Sequence, residues 1–182
     1  MQRIALLTLL MGFLSFNLSA QKIDTPEWDV SYVGNNLWNP GLQFGRLIPG
    51  LGRHEGPVIY QAHLGAYWDP QAQFNLYAFA GWQYRGSFSK RDYFDIRISP
   101  VGLLRSFYPE AYRVLDNGNT DKIFLPGRWY YAPEFSLTWG FRPKNEQIKQ
   151  VYFGPQLFLL LPYNSRILPI LNFQIGLNLK SN

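Results

Sequence analysis

Residues 129–141 read Trp129-Tyr130-Tyr131-Ala132-Pro133-Glu134-Phe135-Ser136-Leu137-Thr138-Trp139-Gly140-Phe141. Every odd position is apolar, and every even position except Tyr130 is small or polar. Successive side chains on a strand point to opposite faces, so this alternation describes a β-strand with one apolar and one polar face. The rest of the chain repeats it. Val58, Tyr60, Ala62, Leu64, Ala66 and Trp68 share one parity, as do Phe94, Ile96 and Ile98. Leu171, Phe173, Ile175, Leu177 and Leu179 alternate with Asn172, Gln174, Gly176, Asn178 and Lys180. Residues 74–84 are less regular: Phe74, Leu76, Ala78, Ala80, Trp82 and Tyr84 agree, while Tyr77 and Phe79 fall on the opposite face.

The pattern predicts eight strands, at 28–36, 41–49, 56–68, 72–85, 92–107, 128–141, 149–161 and 168–180. Between them lie turn-forming stretches: Asn39-Pro40-Gly41, Pro49-Gly50-Leu51-Gly52, Asp69-Pro70, Arg85-Gly86-Ser87 and Arg142-Pro143-Lys144-Asn145. No segment after residue 20 has a helical period. The fold expected is all-β, an antiparallel up-and-down barrel.

Alternation fits both a soluble ligand-binding barrel, apolar inside, and a transmembrane β-barrel, apolar outside. Volume separates them. The apolar parity carries Trp28, Tyr32, Phe44, Trp68, Trp82, Tyr84, Trp129, Trp139 and Phe153 among other rings. The interior of an eight-stranded barrel is just wide enough for side chains to fill, and such a set would overfill it. The opposite parity, rich in Gly, Ala, Ser, Thr, Asn and Gln, suits a crowded polar lumen. Trp129 and Trp139 stand ten residues apart on one face, a rise of about 33 Å along the strand. At a tilt of about 40° that projects to roughly 25 Å, the height of the lipid-facing band between aromatic girdles. Trp68, Trp82, Tyr84, Trp129 and Trp139 are therefore read as girdle residues. The expectation is a transmembrane barrel, with a secreted soluble barrel as the alternative.

With the chain ends in the periplasm, the connection 107–127 is extracellular. Within it, Asn117-Gly118 between two strand-like runs signals a two-residue hairpin turn, with Asp116 facing Asn119. That register extends into the barrel and sets Phe94 opposite Phe141, Ile96 opposite Trp139 and Ile98 opposite Leu137. Asp116, Asn119 and Asp121 lack the spacing and distal Glu of a calcium loop.

The inward parity collects the ionisable groups His63, Arg85, Asp95, Arg97, Glu134 and Lys180, with Ser136 beside Glu134. Opposite charges neutralising one another in a filled lumen account for them, since unpaired buried charge is unfavourable. Ser136, His63 and Glu134 also raise the alternative of a lipid-modifying hydrolase, which needs a nucleophile and base within hydrogen-bond reach. The expectation is no enzyme, no metal and no cofactor; two separated histidines and no cysteine exclude the usual zinc sites.

Residues 1–20 read as a signal peptide: Arg3, an apolar run from Ile4 to Leu14, and small residues closing at Ala20. This places the barrel at 21–182 and the protein in the cell outer membrane, in contact with outer-membrane lipids and the barrel insertion machinery. The hairpin offers a surface to an extracellular protein or glycan. Seventeen Lys and Arg against twelve Asp and Glu give a formal charge of +5 with no basic run, so no nucleic acid partner is expected. Only 16% of residues are charged while 18% are aromatic, as expected when outward faces exchange charge for lipid-facing apolar groups.

Asn39-Pro40-Gly41-Leu42-Gln43-Phe44-Gly45, Tyr112-Arg113-Val114, Leu125-Pro126-Gly127-Arg128, Gly154-Pro155-Gln156-Leu157, Pro162-Tyr163-Asn164 and Leu168-Pro169 resemble the short, uncharacterised outer-membrane β-barrels common in Bacteroidota. The resemblance implies an outer-membrane location and a barrel fold, and brings no catalytic residues. The chain departs from many outer-membrane barrels at its end, Leu179-Lys180-Ser181-Asn182, where those carry a terminal aromatic.

Overall fold

The computed structural model describes residues 19–20, 25–35, 39–50, 58–69, 73–89, 91–109, 111–115, 118–145, 147–164 and 166–181. The barrel strands are β1 (Glu27–Asn35), β2 (Asn39–Pro49), β3 (Val58–Asp69), β4 (Gln73–Ser87), β5 (Asp92–Phe107), β6 (Gly127–Tyr131 continuing as Glu134–Phe141), β7 (Ile148–Tyr163) and β8 (Arg166–Lys180). Each pairs antiparallel with its neighbours in sequence, and β8 returns to β1 through Phe173↔Gly34 to Lys180↔Glu27. The sheet therefore closes into an eight-stranded up-and-down barrel, with no unpaired edge strand among the described residues. Ser19–Ala20 pairs with Ser87 and Gly86 at the end of β4; the rest of the signal-peptide segment lies outside the described residues.

Side chains sort by parity around the wall. On the outer face Leu42, Phe44, Leu64, Trp68, Val101, Trp129, Phe135, Leu171 and Ile175 are exposed. Facing inward, Asp29, Gln43, Gln83, Asp95, Arg97, Ser136, Thr138, Gln156, Gln174 and Asn178 are buried. This inverts a water-soluble protein, which does not expose a continuous apolar surface of this kind. Closure satisfies the backbone without water. The molecule is thus a transmembrane β-barrel.

Three local expectations are corrected. Asn39-Pro40-Gly41 and Arg85-Gly86-Ser87 do not interrupt the sheet. β2 starts at Asn39, and β4 runs on to Ser87. Gly86 serves instead as a gap, because the Phe94 ring lies where its side chain would be.

The β5–β6 register differs by two residues from the one expected: Ile98 faces Phe135, Ile96 faces Leu137 and Phe94 faces Trp139. A shift of two keeps every side chain on its face, so alternation cannot distinguish it. The shift arises in two steps. Beyond the barrel, Leu115 N donates to Asn119 O at 2.8 Å and Gly118 N to Leu115 O at 2.9 Å. Three residues, 116–118, thus separate the paired Leu115 and Asn119, rather than two. Gly118 closes this turn at φ 80°, the left-handed position of a three-residue hairpin; Asp116 and Asn117 lie outside the described residues. The second step is in the wall. Val101 faces Ala80 while Ile98 faces Trp82, and Leu103 faces Tyr131 while Ser99 faces Glu134. Both neighbours meet one extra residue in β5 around Pro100, a β-bulge at a residue with no N–H to give the ladder. The bulge exchanges parity, so Ile96 and Ile98 face outward below it, and Val101, Leu103 and Arg105 above it.

The hairpin strands Tyr112–Val114 and Thr120–Lys122 form their own two-stranded sheet. Ile123 N to Ala111 O and Tyr108 N to Pro126 O, both 2.9 Å, connect it to the rim. Between these bonds Leu125 has φ 49°, which breaks the continuity of β6 with the hairpin.

Candidate functional site: the lumen

The polar lumen expected from parity fills only part of the bore. Toward the hairpin end the interior is apolar and aromatic: Tyr67, Tyr77, Phe79, Leu104, Tyr130, Ala132, Phe158 and Leu160 are buried together. Phe79 on β4 and Phe158 on β7 come from opposite parts of the wall, yet their ring centroids are 4.9 Å apart; Tyr77 lies 4.9 Å from Phe79 and 5.3 Å from Phe158. The bore is crossed by packed rings at this level. Tyr77 and Phe79, the two residues that broke the alternation of 74–84, are part of this plug.

Toward the chain ends lies a layer of charge. Arg85 on β4 pairs with Asp95 on β5, Nε–Oδ1 at 2.8 Å and Nη2–Oδ2 at 3.2 Å, and reaches Glu27 Oε2 on β1 at 3.4 Å. Gln150 Nε2 donates to Asp95 Oδ2 at 2.9 Å. Arg97 crosses from β5 to Asp29 on β1, Nη2–Oδ2 at 3.0 Å, with its guanidinium 4.6 Å from the Tyr152 ring centre. Tyr152 Oη donates to both oxygens of Asp29 at 2.8 and 2.9 Å. His63 Nε2 stands 3.6 Å from Asp29 Oδ1, an ion-pair distance beyond hydrogen bonding. Asn178 lies between the two centres: with its amide nitrogen turned to Asp29 it donates to Oδ2 at 2.8 Å, and its oxygen then accepts from Arg85 Nη2 at 2.9 Å and faces Gln150 Oε1. Glycines make room for the rings: the Tyr152 ring fills the place of a Gly176 side chain, and His63 that of Gly45.

The predicted inward residues His63, Arg85, Asp95, Arg97, Glu134 and Ser136 are all buried. Four of them, His63, Arg85, Asp95 and Arg97, join this layer. Glu134 belongs to a separate group: it accepts from Ser99 Oγ at 2.5 Å and from Gln156 Nε2 at 3.4 Å. Ser136 Oγ has no hydrogen-bond partner among the described residues. The Ser136, His63 and Glu134 combination is thus not joined by hydrogen bonds, and the carboxylate beside His63 is Asp29. Lys180, read as inward, is exposed where β8 ends.

Two anionic members of the layer were missing from the expected set. Asp29 was accessible from parity, since Trp28 and Tyr32 outward put it inward; Glu27 precedes the predicted strand. Of the residues read as girdle, Trp68, Trp82, Trp129 and Trp139 are exposed on the outer face, whereas Tyr84 is half-buried beside Phe94, at 6.4 Å between centroids. Among the described residues no three His, Cys, Asp or Glu are placed to hold a metal ion.

Fold and interior define a class: a closed eight-stranded membrane barrel with a side-chain-filled lumen. Among solved structures the chain is similar to Neisserial surface protein A, with 8% sequence identity and a TM-score of 0.47, over 86% of this chain and 94% of that one. No family model matches the chain, and no curated protein does.

Proposed function

We propose that the chain is an integral outer-membrane protein, closed to diffusion, whose work is done at its surface rather than by catalysis in its lumen. The observation that carries this reading is the filled bore. Phe79 and Phe158 meet across it at one level, and Arg97 and Asp29 at another. An interior so occupied has a structural role, tying distant strands together. It leaves the outer wall to lipid and the rim to other molecules.

β1 begins at Glu27 and β8 ends at Lys180, paired at one rim, which this reading puts in the periplasm. The hairpin then rises from the extracellular rim and presents exposed Tyr112, Val114 and Leu115 with Arg113. Mixed apolar and cationic exposure of this kind suits an extracellular protein or glycan. The reading includes export through residues 1–20, delivery by the barrel insertion machinery, and no cofactor.

Gel mobility and conductance test it together. Detergent-refolded protein should migrate differently before and after boiling, and should give no steady conductance in a planar bilayer. Solubility in plain buffer without a heat-dependent shift would overturn the membrane assignment. A steady ohmic conductance would overturn the closed bore.

A further inference from the structure

Arg105 is a cation in an unexpected place. The bulge at Pro100 turns residues 101–107 so that Val101, Leu103, Arg105 and Phe107 line the outer wall, and Arg105 stands between Leu76 on β4 and Trp129 on β6. Its guanidinium lies 4.8 Å from the Phe107 ring centre and 5.1 Å from that of Trp129. Its Nε is buried and has no hydrogen-bond partner among the described residues. Both rings are within cation–π distance, and the Nη groups at the end of the fork are of the type that holds an anion in its plane. A guanidinium on a lipid-facing wall is unfavourable unless it reaches the interface or a counter-charge.

The same residue borders an open groove of about 540 Å³ in the outer wall. The groove exists because Ala78 is small and its neighbours Leu64, Leu76 and Leu103 are large and exposed. From Arg105 it extends away from the hairpin past Leu103 and Ala78 to Leu64, and toward the hairpin past Phe107 to Leu125, over mostly apolar surface. A mostly apolar furrow with one cation two residues from the strand end has the chemistry of a single phosphorylated lipid. Arg46 provides the contrast: it also faces outward and lies 4.6 Å from the Trp28 ring centre, but it pairs with Trp28 at the opposite rim, beside the chain ends.

We infer that Arg105 and this groove form a binding site for a phosphorylated lipid of the leaflet on the hairpin side, phosphate on the guanidinium and one acyl chain along Leu103, Ala78 and Leu64. The inference rests on the membrane reading above.

Native mass spectrometry of the full chain, released from micelles holding equal amounts of dioleoyl phosphatidic acid and dioleoyl phosphatidylcholine, tests it. One cation near an anionic headgroup is worth about a fivefold preference, so phosphatidic acid adducts should exceed phosphatidylcholine adducts by about that factor. Arg105→Gln should bring the ratio to about one, Arg105→Lys should keep part of it, and Arg46→Gln should leave it unchanged. Inorganic phosphate and dihexanoyl phosphatidic acid, which lack a long chain, should not displace the long-chain lipid. Equal retention of both lipids by the native chain, an unchanged ratio in Arg105→Gln, or displacement by inorganic phosphate would each overturn the site. Heat-dependent mobility of the same samples separates the two claims. A chain that shifts on boiling but shows no preference refutes only the lipid site.

Discussion

The pair Arg97 and Asp29 gives the sharpest prediction about what holds the barrel together. Both side chains are almost wholly buried, at 1% and 0% exposure, and they come from strands on opposite sides of the bore. Consider the two single replacements. Arg97→Met leaves the Asp29 carboxylate with Tyr152 and Asn178 as donors and His63 close by. A carboxylate so placed can also take up a proton, so the loss should fall at the low end for a broken buried pair, about 3 kcal/mol. Asp29→Asn leaves a guanidinium whose Nε lacks a partner among the described residues and whose remaining polar contact among them is Tyr152 Oη at 3.5 Å. Arginine cannot shed its proton, so this loss should be larger, about 4 kcal/mol. The double replacement removes both charges and should lose about 4 kcal/mol rather than the additive ~7 kcal/mol, a coupling of about 3 kcal/mol. Urea unfolding in lipid vesicles, followed by tryptophan fluorescence and by gel mobility, measures all four proteins. Additive losses, or Arg97→Met more damaging than Asp29→Asn, would refute the reasoning.

Phe158→Ala should destabilise the same transition by about 3–5 kcal/mol through the space left between Tyr77, Phe79 and Leu160, and combined with Phe79→Ala it should lose more stability yet give no steady conductance in a planar bilayer, because Arg97 and Asp29 still cross the bore. Gly176→Ala puts a methyl group into the Tyr152 ring and should cost about 1–3 kcal/mol of stability in the urea assay. Gly118→Ala, at positive φ but in open space, should cost no more than about 1 kcal/mol and act only on the hairpin. Protease added to intact cells should cut within 107–127 and leave the heat-dependent gel shift of the remaining barrel in place; complete resistance of that segment would argue against a projecting hairpin.

How far these features could be read in advance depended on whether they are local. Alternation in 129–141 and 171–180 is a property of consecutive residues, so the strands and their outward faces were legible, as was the inward set His63, Arg85, Asp95 and Arg97. Register is not local. Phe94 opposite Trp139 and Phe94 opposite Phe141 satisfy the same alternation, and the choice depended on a three-residue turn and on one extra residue at Pro100. The partners across the bore were hidden for a similar reason. That Arg97 meets Asp29 follows from closure of β8 on β1, which brings residues 68 apart in sequence within 3.0 Å. The aromatic plug was signalled only as an irregularity, Tyr77 and Phe79 on the wrong parity, because a single strand does not reveal Phe158 facing it.

The central claim is that the apolar face meets lipid and the polar face fills the bore. The chain has no cysteine, so single cysteines carrying a nitroxide label can be placed at each residue from 134 to 141 and the refolded proteins studied in vesicles. The account predicts that labels at 135, 137, 139 and 141 collide readily with oxygen dissolved in the bilayer and little with a water-soluble nickel complex, while labels at 134, 136, 138 and 140 show low access to oxygen. The opposite phase, or nickel access dominating at the odd positions, would contradict it.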